Sequence, residues 1–246
     1  PAGGIAGAAW ATTVAEWFRV IAYTVIMLRP IYRQKYHTAS GWPWDSRLML
    51  RLWRFGGPGG LQWFLETFSF TLFIGFVGRL GELPLAASNL AFNINTLAWF
   101  PMIGLGIAVS TMVGQQLGRN CPDLAARATW TALEIAMVFM GTIAMVYLLV
   151  PDWLLAAHGS GVSPEAFAPL RGLTIILLRF VAAYCLFDAM NIIFVSAIRG
   201  AGDMRFVLIT TIVTSVIPLA AIWWGTTRWG FGLYWCWAII TLWVCA

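Results

Sequence analysis

The chain has 246 residues, of which 60% are hydrophobic and only 10% charged, and its formal net charge is +5. A soluble domain carries roughly 25% charged residues, so this composition, with a mean hydropathy of +0.79, excludes one. The basic residues lie between apolar blocks about twenty residues long, the length that crosses a bilayer core, so the positive charge reads as membrane topology and not as nucleic-acid binding.

The first predicted span runs from Ile5 to Leu28 and stops where Arg29 and Pro30 break the apolar run. A basic connection follows, with Arg29, Arg33, Lys35, Arg47, Arg51 and Arg54 against the lone acid Asp45. It is too long and polar for a turn inside a bundle, which makes it a linker between two bundles. Further spans are predicted at Pro58–Val77, Leu85–Val113, Ala125–Val150, Leu170–Ile198, Phe206–Trp224 and Phe231 to the end, about seven in all. If the sides alternate, Arg119, Arg127, Arg199 and Arg205 share a side with the basic linker, opposed mainly by Arg79 and Arg228. The positive-inside rule then makes the linker cytoplasmic and puts residue 1 outside. The opening PAGGIAGAAWATT and the closing TLWVCA both read as cuts in a longer chain.

Cys121, Cys185, Cys236 and Cys245 have no metal-ligand spacing and read as small core residues. Ionisable groups at membrane depth are more telling, because each costs about 2.5–3.5 kcal/mol unless it has a partner or a role. Glu66 lies near the middle of the second span and Asp188 beyond the middle of the fifth. Tyr184 precedes Asp188 by four residues and Asn191 follows it by three, so hydroxyl, carboxylate and amide share a helix face. Asn89, Asn93 and Ser69 add oxygens from neighbouring spans, a ligand set suited to sodium or a proton, although such groups also glue helices together.

Arg179 stands nine residues before Asp188, about 13 Å along a helix, and is expected to snorkel. Glu16 and Arg19 can pair on one face of the first span, whereas Glu134 in the fourth has no evident partner. Trp63, Phe64 and Phe68 flank Glu66 and are candidates to line a cavity for a flat organic cation. Pro101 and Pro218 fall inside spans, where they can bend helices around such a cavity. Both the first and last spans open on glycines followed by Trp-Ala, at Trp10-Ala11 and Trp237-Ala238, which hints at a duplicated bundle.

Three stretches resemble the MATE (multidrug and toxic compound extrusion) transporters: Phe76–Arg119 with its Gly-Gln-x-x-Gly exit, SAIRGAGDM at Ser196–Met204, and the amino-terminal GGIAGAAWATT. The resemblance implies an all-α, polytopic transmembrane bundle comprising helices six to twelve of a twelve-helix fold. Residues 1–28 would be the last helix of the first lobe, 29–56 the cytoplasmic interlobe linker and 57–246 the carboxy-terminal lobe, its last helix truncated. It also implies that Glu66, Tyr184 and Asp188 match the cation-coupling positions of the NorM-like branch, the carboxylates binding Na+ if sodium is the coupling ion. The implied activity is antiport at the inner (plasma) membrane: Na+ or H+ enters and an organic cation or drug leaves. The missing first lobe and the lipid bilayer are then the partners, and no cofactor is required.

A lipid-linked saccharide flippase would share the architecture, but its pyrophosphate cargo would want a strongly cationic cavity. A retinal-binding receptor needs a lysine in its last helix, and the only lysine is Lys35, in the first loop. An enzyme is not expected, since His37 and His158 are both predicted in loops far from the intramembrane acids. A noncatalytic structural membrane subunit is the alternative from another class.

Overall fold

The computed structural model describes residues 4–36, 38, 44–159 and 164–245. Among these the regular structure is helical, with two compact units, Pro1–Arg51 and Leu52–Ala246.

In the first unit, α1 (Gly4–Met27) is followed after a sharp bend by α2 (Pro30–Tyr36). The axes of the two differ by 66°. Pro30 suits a first helical position because its ring presets φ and its missing N–H would be unpaired there anyway. Glu16 and Arg19 form the expected ion pair on α1. The basic connection expected as a loop is thus helical at both ends: Lys35 lies in α2, and α3 (Ser46–Gly78) starts inside the stretch. Asp45 nucleates that start, its Oδ1 accepting from the backbone N–H of Arg47 at 2.8 Å and of Leu48 at 3.1 Å. His37 lies outside the described residues.

The second unit holds most of α3, then α4 (Glu82–Gly118), α5 (Pro122–Leu149), α6 (Pro151–Gly159), α7 (Pro164–Ala201), α8 (Met204–Arg228) and α9 (Leu233–Cys245). Five of the helices are long and apolar enough to cross a membrane; α1 qualifies only together with α2, and α9 is apolar but shorter. Thr12, Thr13, Glu16 and Arg19 dilute the apolar character of α1. Where a loop was expected after Val150, α6 forms, again started by a proline with an acid, Asp152, in its first turn. His158 accordingly falls in α6 and not in a loop. Arg171 of α7 donates Nε to Asp152 Oδ1 at 2.8 Å, tying α6 to α7.

The connection between α4 and α5 follows directly from its residues. Asn120 adopts φ 56°, the left-handed conformation that asparagine tolerates, while Asn120 N–H bonds the Leu117 carbonyl and Cys121 N–H the Gln116 carbonyl. Pro122 then opens α5. Before α8, Asp203 caps the helix by accepting from Phe206 N at 3.0 Å. Pro101 and Pro218 lie inside α4 and α8, whose helical runs continue past them.

α7 is the centre of this unit, packing closely against α4 and α5 and also meeting α6, α8 and α9. Lipid is as apolar as leucine, so close backbone approach through small residues does much of the work of association in membranes. A Cβ built on Gly200 of α7 would lie 2.5 Å from the Ser110 carbonyl oxygen of α4, and one on Gly106 would lie 2.6 Å from Ser196 Oγ. Around this seam Leu177, Leu178, Val181, Cys185, Ala189 and Ile193 of α7 are fully buried. α3 reaches the core through Phe73 and Val77, and the Phe73 ring lies edge-on to both Phe92 of α4 and Trp237 of α9.

Candidate functional site

Helical phase decides which side chains of α7 face the interior. Tyr184 is 5% exposed, and Asp188, one turn later, is half-buried beside fully buried Cys185 and Ala189. Tyr184 interacts electrostatically with Asp188 and also with Tyr147 of α5. Tyr147 is 3% exposed and donates its hydroxyl to Asn95 Oδ1 of α4 at 3.4 Å. Asp188 and Tyr184 of α7, Tyr147 of α5 and Asn95 of α4 thus bring polar groups of three helices to the core region, and the Tyr147–Asn95 hydrogen bond joins two of those helices. Asn191 belongs to the exposed side of α7.

Tyr147 and Asn95 were not among the residues singled out from the sequence. Asn95 stands two positions after Asn93, and a two-residue step on a helix turns a side chain by about 200°, to the other side. Asn89 and Asn93 are exposed while Asn95 is half-buried. The N-x-N spacing was the available signal. Tyr147 was hidden among many aromatic residues that crowd the span ends.

Glu66 lies on the face of α3 that also carries Gln62, Ser69 and Phe73, spaced four, three and four residues apart as one helical stripe demands. Gln62 is 1% exposed, Ser69 3% and Phe73 0%, whereas the Glu66 carboxylate is half-buried. Gln62 Nε2 donates to Glu66 Oε1 at 2.7 Å. Gln62 Oε1 is sealed from the surface and has no hydrogen-bond partner. Trp63 stacks at 6.3 Å on Trp99 of α4, beside the Glu66 stripe. Phe64 and Phe68 stack on one another at 6.0 Å on the exposed side of α3, away from that stripe, because two positions from Glu66 is half a turn away. The structure thus groups Tyr184 with Asp188 and Gln62 with Glu66.

Arg179 is exposed on the side of α7 opposite Asp188, nine residues being two and a half turns. Glu134 is likewise exposed, on the outer face of α5 next to Ile135 and Val138. Among the described residues no three His, Cys, Asp or Glu side chains gather as a metal cluster. A hard monovalent cation needs none, since carboxylate, amide and phenol oxygens are the ligand types it takes. Both groupings supply those oxygens, and both sit on helices long enough to span a bilayer.

The MatE family model matches residues 58–224, which takes in α3 from Pro58 through most of α8 and both carboxylates. The chain belongs to the MatE family. A probable multidrug resistance protein NorM of Brucella suis is 27% identical over 203 residues, covering 82% of the MatE chain and 43% of that protein. The multidrug resistance protein NorM of Burkholderia vietnamiensis is 28% identical over 238 residues, covering 94% of the chain and 47% of its own length. The MatE chain therefore spans less than half the length of these curated relatives. Among solved structures, the crystal structure of MATE in complex with MaL6 superposes with a TM-score of 0.81 at 17% identity, over 99% of this chain and 54% of that one. That likeness shows the shared all-α fold, and membership of the MatE family, together with helices long and apolar enough to cross a bilayer, makes this a multi-pass membrane protein.

Proposed function

We propose that the chain is the carboxy-terminal half of a secondary antiporter that exports organic cations or drugs in exchange for Na+ or H+. The observation that carries this reading is the placement of Asp188 with Tyr184 on the central helix α7, where burying a carboxylate is costly unless it has work to do. Glu66 on α3 is the second anionic position. The names of the relatives, multidrug resistance proteins, support export as the direction of transport.

In this reading the carboxylates bind coupling cation and organic cation in turn, so that each displaces the other by competing for one negative charge. Tyr184 adds an oxygen from α7 and Ser69 one from α3, with Trp63 beside Glu66 as aromatic surface for a flat cation, whereas Asn191, Asn89, Asn93, Phe64 and Phe68, which lie on exposed faces of their helices, stand outside this grouping. Residues 1–28 form the last helix of a first lobe, 29–56 the cytoplasmic linker and 57–246 the second lobe. The protein resides in the plasma membrane with residue 1 outside. Transport requires the half that this chain does not cover.

The test supplies that half from a full-length relative and measures ethidium extrusion from efflux-deficient cells, with and without a sodium gradient. Loss of extrusion in Glu66→Gln and Asp188→Asn, at normal membrane levels, is expected, and the gradient dependence names the ion. Full activity in both variants sinks the assignment. A parent that extrudes no cation turns attention to the flippase and structural-subunit readings.

A further inference from the structure

α3 is longer than a bilayer needs and changes character along its length. Its 33 residues make a rod of about 50 Å, whereas a hydrocarbon core is about 30 Å thick. The stretch from Pro58 to Gly78 crosses that core by itself, which leaves Ser46–Phe55 outside it as an arm. On the arm Arg47, Arg51 and Arg54 follow at steps of four and three residues, so all three fall within a sector of about 60°. Leu52 and Trp53 point to the opposite side, flanked by Leu48, Leu50 and Phe55, and these five are 50% to 71% exposed. Among the described residues none of the three arginines has a carboxylate partner, and the nearby Asp45 is occupied in capping the helix. The joint between arm and span is Gly56-Gly57-Pro58-Gly59-Gly60, made of the two poorest helix formers. Close packing does not require these glycines: a Cβ on Gly56 or Gly60 would meet nothing within 4 Å, and one on Gly57 or Gly59 nothing nearer than 3.8 Å. What they supply is backbone freedom, which lets the arm turn against the span.

We propose that the arm Ser46–Phe55 is an interfacial helix that binds the surface of an anionic bilayer, turning at the glycines to lay Leu52 and Trp53 among the acyl chains and Arg47, Arg51 and Arg54 beside lipid phosphates. Lipid phosphate is the anion that surrounds a spanning helix where it leaves the hydrocarbon core. A helix with arginine on one face and leucine, tryptophan and phenylalanine on the other is the kind that such a surface retains. Projecting straight into water, the same arm would expose five large apolar side chains. About ten residues cut off by glycines are also too few to hold a helix alone, so the bilayer surface supplies the arm's order as well as its partner. Such an anchor fixes how the chain sits on its membrane and operates whichever ion drives transport.

The test is hydrogen exchange of the arm's amides, read by mass spectrometry on the chain joined to the missing half from a full-length relative. Nanodiscs of phosphatidylcholine alone are compared with nanodiscs that also contain phosphatidylglycerol. The arm is expected to be protected in the anionic discs and to exchange fast in the zwitterionic ones. Arg47→Gln, Arg51→Gln and Arg54→Gln together are expected to lower that protection on the order of a hundredfold, about fivefold for each charge removed. Lysine substituted at all three positions keeps the charge and is expected to keep the protection. With Gly56, Gly57, Gly59 and Gly60 all changed to alanine, the arm continues the span, and its exchange is expected to be the same in both discs. Equal protection of the unaltered arm in both lipids overturns the proposal and assigns the exposed face to contacts within the protein. Full protection of the glutamine variant in anionic discs overturns it too, as does loss of protection with lysine, since charge is then not what holds the arm.

Discussion

The indole Nε1 of Trp237 donates to Ser88 Oγ at 3.0 Å, joining α9 to α4 across 149 positions of sequence with both side chains fully buried. Phe92 stacks on the same indole at 4.8 Å. Interhelical hydrogen bonds inside membranes are worth about 0.6 kcal/mol on average and up to about 1.7. A double-mutant cycle of Ser88→Ala and Trp237→Phe, read by unfolding in mixed detergent, is expected to give a coupling energy in that range. Zero coupling means that the indole finds another acceptor and that the aromatic stack alone holds α9.

The seam between α4 and α7 makes a sharper prediction. Gly200→Ala would bring a methyl within 3.0 Å of both Ser110 Cα and Val113 Cβ, the first of which is backbone and cannot step aside. Overpacking of this kind costs about 1–3 kcal/mol. Gly172→Ala, on an open and exposed stretch of the same helix, meets nothing within 4 Å and is expected to be neutral or slightly stabilising. Equal melting temperatures for the two variants would show that the helices do not pack at this distance.

Tyr184→Phe removes the hydroxyl beside Asp188 but keeps the ring in the core. If the phenol helps hold the cation, the concentration of coupling ion needed for half-maximal transport rises several-fold with little change in protein level. A variant that only loses stability, with unaltered ion dependence, assigns Tyr184 to packing.

The tie between Tyr147 and Asn95 is long for an O–H···O hydrogen bond, at 3.4 Å. Tyr147→Phe is therefore expected to cost under about 1 kcal/mol in unfolding experiments. A larger loss would mean that the two groups approach more closely in the membrane.

The Arg171–Asp152 pair is about half-exposed on each side, at 47% and 60%. Exposed ion pairs contribute about 0–1 kcal/mol. Arg171→Gln should leave stability nearly unchanged, and whatever effect it has should vanish in high salt. A loss that persists in high salt would mean that the pair anchors α6 through more than its charges.

The membrane-spanning, all-α class was legible because it depends on summed apolar length, which any window of the sequence reveals: α3, α4, α5, α7 and α8 all fall where apolar blocks predict them. Their ends were less legible. α6 and α2 begin at prolines in stretches whose polarity suggested loops, since local capping chemistry can start a helix where hydrophobicity gives no cue. Tyr184 and Asp188 share a face because their spacing matches one helical turn, so that pairing too was written in the chain.

What the sequence could not determine is which polar groups from different helices meet. Spacing within one helix fixes relative direction, but the rotation of each helix against its neighbours is set by side-chain packing, here by Gly106 and Gly200 allowing α4 and α7 to close. That rotation buried Tyr147 and turned Asn95 inward while Asn89 and Asn93 remained exposed. On α3, packing buried Gln62 fully and left Glu66, one turn on, half-buried. Hydropathy thus determined that these helices enter the membrane, and only the tertiary packing decided which of their oxygens are buried and which stay exposed.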